Sequence, residues 1–114
     1  MAQAATSESG DAKADVFRAL ADPTRRAVFE RLAHGESTVS ELQAGFDVSQ
    51  PAISQHLAHL RRAGLVTERR SGRNAYYRVQ PAGLTPLIDW VDRYQAFWSD
   101  RIARLPKVLK EMDE

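Results

Sequence analysis

The sequence contains no cysteine, which removes disulfides, thiolate metal ligands and thiol redox sensing together. It has no apolar run near the 18 or more residues that a membrane-spanning helix needs. The basic-then-apolar opening of a secretory signal is missing as well. There is no phosphate-cradling glycine loop, Ser/His/Asp arrangement or isolated carboxylate pair, so no catalytic machinery can be assembled from these residues. Net charge is nearly absent too, with 16 Lys+Arg against 15 Asp+Glu. These absences predict a cytoplasmic protein that is not an enzyme, uses no cofactor and does not enter a membrane. With 114 residues and 43% hydrophobic composition, the chain is expected to build one globular domain.

Near-neutrality hides a split along the chain. Residues 1–23 hold 2 basic and 4 acidic side chains, residues 24–80 hold 9 and 5, and residues 81–114 hold 5 and 6. Within 49–80, six arginines (Arg61, Arg62, Arg69, Arg70, Arg73 and Arg78) face one acid, Glu68. A solvated surface would interleave the two signs and favour lysine, whereas this chain has 13 Arg and 3 Lys. A concentrated basic stretch on a neutral background points to a polyanionic partner.

Residues 1–12 are small and polar without a period, and are expected to be a disordered tail. Val16, Phe17, Leu20 and Ala21 then fall at helical spacing. Asp22-Pro23 predicts a stop and a restart, with Asp as N-cap and Pro where a missing N–H costs nothing. Thr38-x-x-Glu41 is a capping box that opens a short helix. Ser49 caps a longer one, with Pro51 in its first turn and Gly64 just past its end. On a helical wheel Ile53, Leu57 and Leu60 cluster on one side, while Pro51, Ser54, Gln55, Ala58, His59 and Arg62 lie on the other. The runs Leu65–Arg70 and Ala75–Val79, joined by Ser71-Gly72-Arg73-Asn74, predict a β-hairpin. Thr85-Pro86 repeats the cap-plus-proline start for a final helix. Along it Leu87, Val91, Tyr94, Trp98, Ile102, Leu105, Leu109 and Met112 recur every three or four residues. So small a domain cannot bury that whole stripe, and Pro106 predicts a bend or break within it.

A short capped helix, a tight turn, a helix with a polar outer face and an arginine-bearing hairpin make a winged helix-turn-helix. At this point the sequence resembles the ArsR/SmtB-type repressors of bacteria. The matching residues are Ala19-Leu20-Ala21-Asp22-Pro23-Thr24-Arg25-Arg26, Glu41-Leu42 and Val48-Ser49-Gln50-Pro51-Ala52-Ile53-Ser54-Gln55-His56-Leu57. Leu60-Arg61-Arg62-Ala63-Gly64-Leu65-Val66 and the wing Gly72-Arg73 with Tyr76-Tyr77-Arg78-Val79 complete them. The resemblance covers about residues 14–80. It implies a mainly α fold with a small β-hairpin wing, spanning 13–114 and ending in a dimerisation helix at about 85–112. It also implies a homodimer that binds double-stranded DNA at an inverted-repeat operator and represses transcription, with autoregulation as an option.

The same resemblance places Gln50, Ser54 and Gln55 against base edges, where Gln can bond adenine through both its amide groups. Thr38, Ser49, Arg61, Arg62, Arg69, Arg70 and Arg78 are suited to phosphates, which position a protein without reading sequence. Arg73, at the hairpin tip, is suited to a minor groove. Val16, Phe17, Leu20, Leu87, Val91, Tyr94, Trp98, Ile102 and Leu105 are the expected dimer interface.

A metal site is not expected. His56 sits beside Ile53 and Leu60 and reads as a core residue, while His34 and His59 have no partner at ligand spacing. Metal-sensing relatives place a cysteine pair after the Glu-Leu of the short helix, but here Glu41-Leu42 leads into Gln43-Ala44-Gly45. Others use acids and histidines on the last helix, where Asp89 would be followed by Val91, Ile102 and Leu105 at the remaining positions. Trp90, Tyr94, Phe97 and Trp98 could wall a small-ligand pocket between terminal helices, although aromatics at helical spacing more often serve core and interface, and an interface is the favoured reading here. No effector is identifiable. The rival outside DNA binding is a winged helix turned to protein contact.

Overall fold

The first break in the chain is chemical. Pro23 has no N–H to continue a helix, and Asp22 before it is held extended at φ −75°, ψ 123°. In a computed structural model that describes residues 2–113, with side chains described over 12–105, this junction separates helix α1 (Ala2–Ala21) from α2 (Pro23–Ala33). The Asp22 carboxylate accepts the Arg25 N–H at 2.8 Å, capping α2. The unpaired carbonyls at the end of α1 are satisfied by the arginines that follow. Arg25 donates to Arg18 O and Ala19 O at 2.8 and 2.6 Å, and Arg26 donates to Leu20 O at 2.7 Å. The Asp-Pro-Thr-Arg-Arg sequence thus ends one helix, starts the next and fastens the two together.

α1 is helical from Ala2, across most of the stretch that the sequence predicts to be a tail. That stretch is alanine-rich and proline-free, so the backbone meets no stop before Asp22. The side chains of residues 1–11 lie outside the described ones.

After α2, strand β1 (Ser37–Thr38) leads into α3 (Val39–Ala44), followed by α4 (Gln50–Arg62), β2 (Val66–Ser71) and β3 (Asn74–Val79). The predicted capping box is present: Thr38 Oγ1 accepts the Glu41 N–H at 3.2 Å, and Glu41 accepts the Thr38 N–H at 2.9 Å. Ser49 Oγ caps α4 by accepting the Ala52 N–H at 3.2 Å. α4 closes in a Schellman turn, with Gly64 at φ +79°, Leu65 N–H on Leu60 O and Gly64 N–H on Arg61 O.

β2 and β3 pair from Val66↔Val79 to Ser71↔Asn74, leaving only Gly72-Arg73 in the turn. Gly72 has φ +62° and Arg73 does not go positive, the pattern of a type II′ hairpin. The sequence reading missed β1, which adds to the outer edge of β3 through Ser37↔Tyr77 and Thr38↔Tyr76. Two residues are too short to show a period, so only the antiparallel register reveals them. The wing is therefore a three-stranded sheet in the order β1-β3-β2.

A 3₁₀ turn (Pro81–Leu84) carries the chain into α5 (Thr85–Asp113). Thr85 is itself helical at φ −52°, ψ −45°, so it does not serve as the extended N-cap that the sequence suggested. The 3₁₀ turn lies against the end of α4, where a Cβ on Gly83 would collide with the Gly64 carbonyl. α5 is assigned helix without interruption through Pro106, so the expected break does not occur in the backbone. Leu109 and Met112 lie outside the described side chains.

The core is drawn from the four helices α1 to α4 and the start of β2. Val16, Val28, Leu32, Leu42, Ile53, Leu57, Leu60, Leu65 and Val66 are all buried. Phe29, Val39, Tyr77, Leu84 and Leu87 pack around them. The wheel prediction for α4 holds for Ile53, Leu57 and Leu60, which are inside, and for Pro51, Ser54, Gln55 and Arg62, which are exposed, whereas Ala58 and His59, expected on the outer side, are half-buried.

Candidate nucleic-acid interface

Burial of one side of α4 fixes which side faces out. Gln50, Pro51, Ser54 and Gln55 are exposed on its first two turns, next to the Ser49 cap. Thr38 and Ser49 use their oxygens to accept backbone N–H groups, which leaves each hydroxyl hydrogen available to donate. Each also sits at a helix N-terminus, where the backbone dipole favours an anion.

The wing arginines are less free than the sequence suggested. Glu68 and Tyr77 stand opposite each other in the ladder, and the Tyr77 hydroxyl donates to Glu68 Oε2 at 2.8 Å. Arg61 from α4 reaches the same carboxylate at 3.4 Å, and Arg70 lies 3.6 Å from its other oxygen. On the opposite face of the strands Arg69 donates to Glu36 at 2.7 Å and lies over the Tyr76 ring, 4.9 Å from its centroid. One carboxylate therefore tethers arginines on each face of the wing. Tyr77 and then the arginine charges hold Glu68 below the usual carboxylate range, and the bond from Arg69 does the same for Glu36. Burial raises the Tyr77 hydroxyl, with its bond to Glu68 adding to the effect. Arg62, Arg73 and Arg78 form no ion pair among the described residues.

Glu36 escaped the sequence reading because it stands 33 residues from Arg69. Only the pairing of β1 with β3 brings the two together. The Glu68–Tyr77 pair was legible in principle, since a two-residue turn at Gly72-Arg73 fixes their register. His56 is a correction: it is half-buried and lines an open cleft with Arg25, Gln55, Ala58, His59 and Arg62, outside the apolar core. One residue further round the helix from Gln55, it reaches the boundary between faces rather than the interior. Among the described residues no three His, Asp or Glu side chains gather into a metal-binding group.

The far surface is apolar. Phe17, Val91, Tyr94, Phe97, Trp98, Ile102 and Leu105 expose 40–62% of their area, as does Ile88, which the sequence reading left out of its interface. Phe17 meets Trp90 edge-on at 5.6 Å, and Trp90 meets Tyr94 at 5.3 Å, so α1 and α5 share an aromatic seam. Val16 is another correction: at 1% exposure it belongs to the chain's own core and has no surface to offer a partner. Leu20 and Leu87 are half-buried against that core and contribute at most an edge.

With this geometry in place, similarity to known proteins is informative. A family profile described as a helix-turn-helix domain matches residues 20–69. The HTH-type transcriptional regulator Rv2034 of Mycobacterium tuberculosis is 48% identical over 83 residues, covering 73% of this chain and 75% of that protein. The chain belongs to the ArsR/SmtB family of transcriptional regulators. The transcriptional repressor SdpR of Bacillus subtilis is 35% identical, over 68% of this chain and 86% of its own length. An ArsR-like transcriptional regulator from Rhodococcus sp. RHA1 superposes with a TM-score of 0.69 at 33% identity, covering 86% of this chain and 92% of that one. The family is non-enzymatic, and its shared element is the helix-turn-helix DNA-binding domain formed here by α3 and α4. No helix among the described residues is long and apolar enough to cross a membrane.

Proposed function

We propose that this regulator is a homodimeric repressor that binds an inverted-repeat operator in double-stranded DNA and acts on its own promoter, in the cytoplasm. The observation that carries the reading is the exposed polar start of α4 beside an arginine-bearing wing. α4 enters the major groove, where Gln50, Ser54 and Gln55 read base edges. Thr38, Ser49, Arg61, Arg62, Arg69, Arg70 and Arg78 hold phosphates, and Arg73 at the turn reaches the adjacent minor groove. The apolar surface of α5, with Phe17 from α1, is covered by a second copy. Two α4 helices then address half-sites about one helical turn of DNA apart. Repression is steric, because an occupied operator that overlaps a promoter excludes polymerase.

The test is binding of the purified protein to the DNA upstream of its own gene at several salt concentrations, with random duplex as competitor. The expected result is saturable, competitor-resistant binding that weakens steeply with salt, and a footprint with two-fold symmetry. Binding no tighter than to random duplex, both there and in a genome-wide pull-down, would overturn the reading. The winged helix would then be a protein-contact module.

A further inference from the structure

Behind the base-reading start of α4 lies a cleft of about 330 Å³ lined by Arg25, Gln55, His56, Ala58, His59 and Arg62. Every ionisable group in its lining is basic, and the small Ala58 gives it depth. The Arg25 guanidinium is pre-ordered, because its Nε and one terminal nitrogen already bind Ala19 O and Arg18 O. The remaining N–H groups are available at little further entropic cost. Arg62 makes no ion pair among the described residues. This contrasts with the wing, where Glu36 and Glu68 occupy Arg69, Arg61 and Arg70.

We propose that the cleft bounded by Arg25, His59 and Arg62 is a phosphate-binding site that seats a backbone phosphate of DNA, and that His59 strengthens the hold in acid. The inference rests on the reading of α4 as the groove-binding helix. Gln55 belongs both to that helix's outer face and to the cleft, so when α4 lies in the groove the cleft meets the sugar-phosphate wall. The groups facing His59 are Arg25 from α2, Arg62 and His56 from α4, and Asp15 from α1 in an adjoining cleft. Burial, followed by the charges of Arg25 and Arg62, lowers the pKa of His59, while Asp15 opposes the shift. A phosphate placed among these groups reverses the arginines' effect and favours the imidazolium. Phosphate binding and proton uptake are therefore linked, and affinity rises as pH falls.

The test measures duplex binding by fluorescence anisotropy at constant ionic strength from pH 5.5 to 8.0, beside NMR titration of the His59 ring proton. For the wild-type protein we expect DNA affinity to rise about three- to tenfold across that range, the response of a single linked proton. The His59 midpoint should move up when DNA is bound. His59→Gln should flatten the pH dependence while His34→Gln, at the exposed end of α2 and outside the cleft, keeps it, and Arg62→Gln should weaken binding and reduce the salt slope by about one phosphate contact. A His59 midpoint unmoved by DNA, or a His59→Gln protein with undiminished pH dependence, would overturn the proposal. The midpoint is read on the folded wild-type chain, so it stands even if a variant misfolds. A second arm adds inorganic phosphate alone. A midpoint moved by phosphate and not by bound DNA would overturn the assignment to DNA and make the site one for a free phosphate group. If no duplex binds at any pH, the groove-binding reading fails, and the phosphate arm still decides whether the cleft takes phosphate.

Discussion

The apolar residues of α4 and those of α5 are similar in kind and opposite in fate. Ile53, Leu57 and Leu60 expose 1% or less, whereas Val91, Trp98, Ile102 and Leu105 expose about half of their area. Both helices repeat apolar residues every three or four positions. α4 is short, at 13 residues, and surrounded by α2, α3 and β2, so its stripe is consumed within the chain. α5 has 29 residues, about 43 Å at the usual rise, and among the described residues its apolar side chains from Val91 to Leu105 are left largely uncovered. Periodicity therefore identifies a face that must be buried, but the surrounding fold decides whether this chain or another molecule buries it.

Substitution at the two stripes separates these fates. Leu57→Ala should cost about 2–5 kcal/mol of unfolding free energy, the range for emptying a packed leucine site. Ile102→Ala should change the unfolding of the isolated chain by well under 1 kcal/mol but weaken self-association. Denaturant titration at low concentration and sedimentation across a concentration series read the two effects independently. A large loss of monomer stability from Ile102→Ala would break the comparison.

A smaller effect sharpens the contrast between the charged and apolar surfaces. Glu68→Gln keeps an acceptor for the Tyr77 hydroxyl but releases Arg61 and Arg70 from a carboxylate. Duplex binding should tighten about three- to tenfold at low salt, with a steeper salt dependence. Weaker binding in that variant would mean that Glu68 positions the arginines rather than competing for them.

The smallest effect is acid sensitivity. Asp22, Glu36, Glu41 and Glu68 are all held below the ordinary carboxylate range, by the Arg25 N–H, the Arg69 guanidinium, the Thr38 N–H and the Tyr77 hydroxyl respectively. Groups lowered in the folded state contribute stability that is complete above their unfolded pKa values, about 4. That contribution is lost as pH falls through the lower folded values. Denaturation midpoints should therefore be level near neutrality and fall below about pH 4, less steeply in a Glu36→Gln, Glu68→Gln double variant. Glu36 and Glu41 are exposed and Asp22 and Glu68 only half-buried, so solvent screening should keep the slope shallow.

Local chemistry was legible from the sequence alone. Asp22-Pro23, Thr38-x-x-Glu41, Ser49 with Pro51, and Gly64 each act over six residues or fewer, so the sequence is their whole context. The buried side of α4, the hairpin and the order of a winged helix-turn-helix follow from these signals combined with apolar period. Tertiary structure alone decided what depends on residues far apart in sequence. β1 exists only through its pairing with β3, Arg69 meets Glu36 only across that sheet, and Val16 turned inward to join a core shared with residues of α2 and α4. The cleft of Arg25, His59 and Arg62 likewise needed the first turn of α2 placed beside the far half of α4. Caps and turns draw on neighbours along the chain. Ion pairs and clefts draw on neighbours in space, which a single sequence does not state.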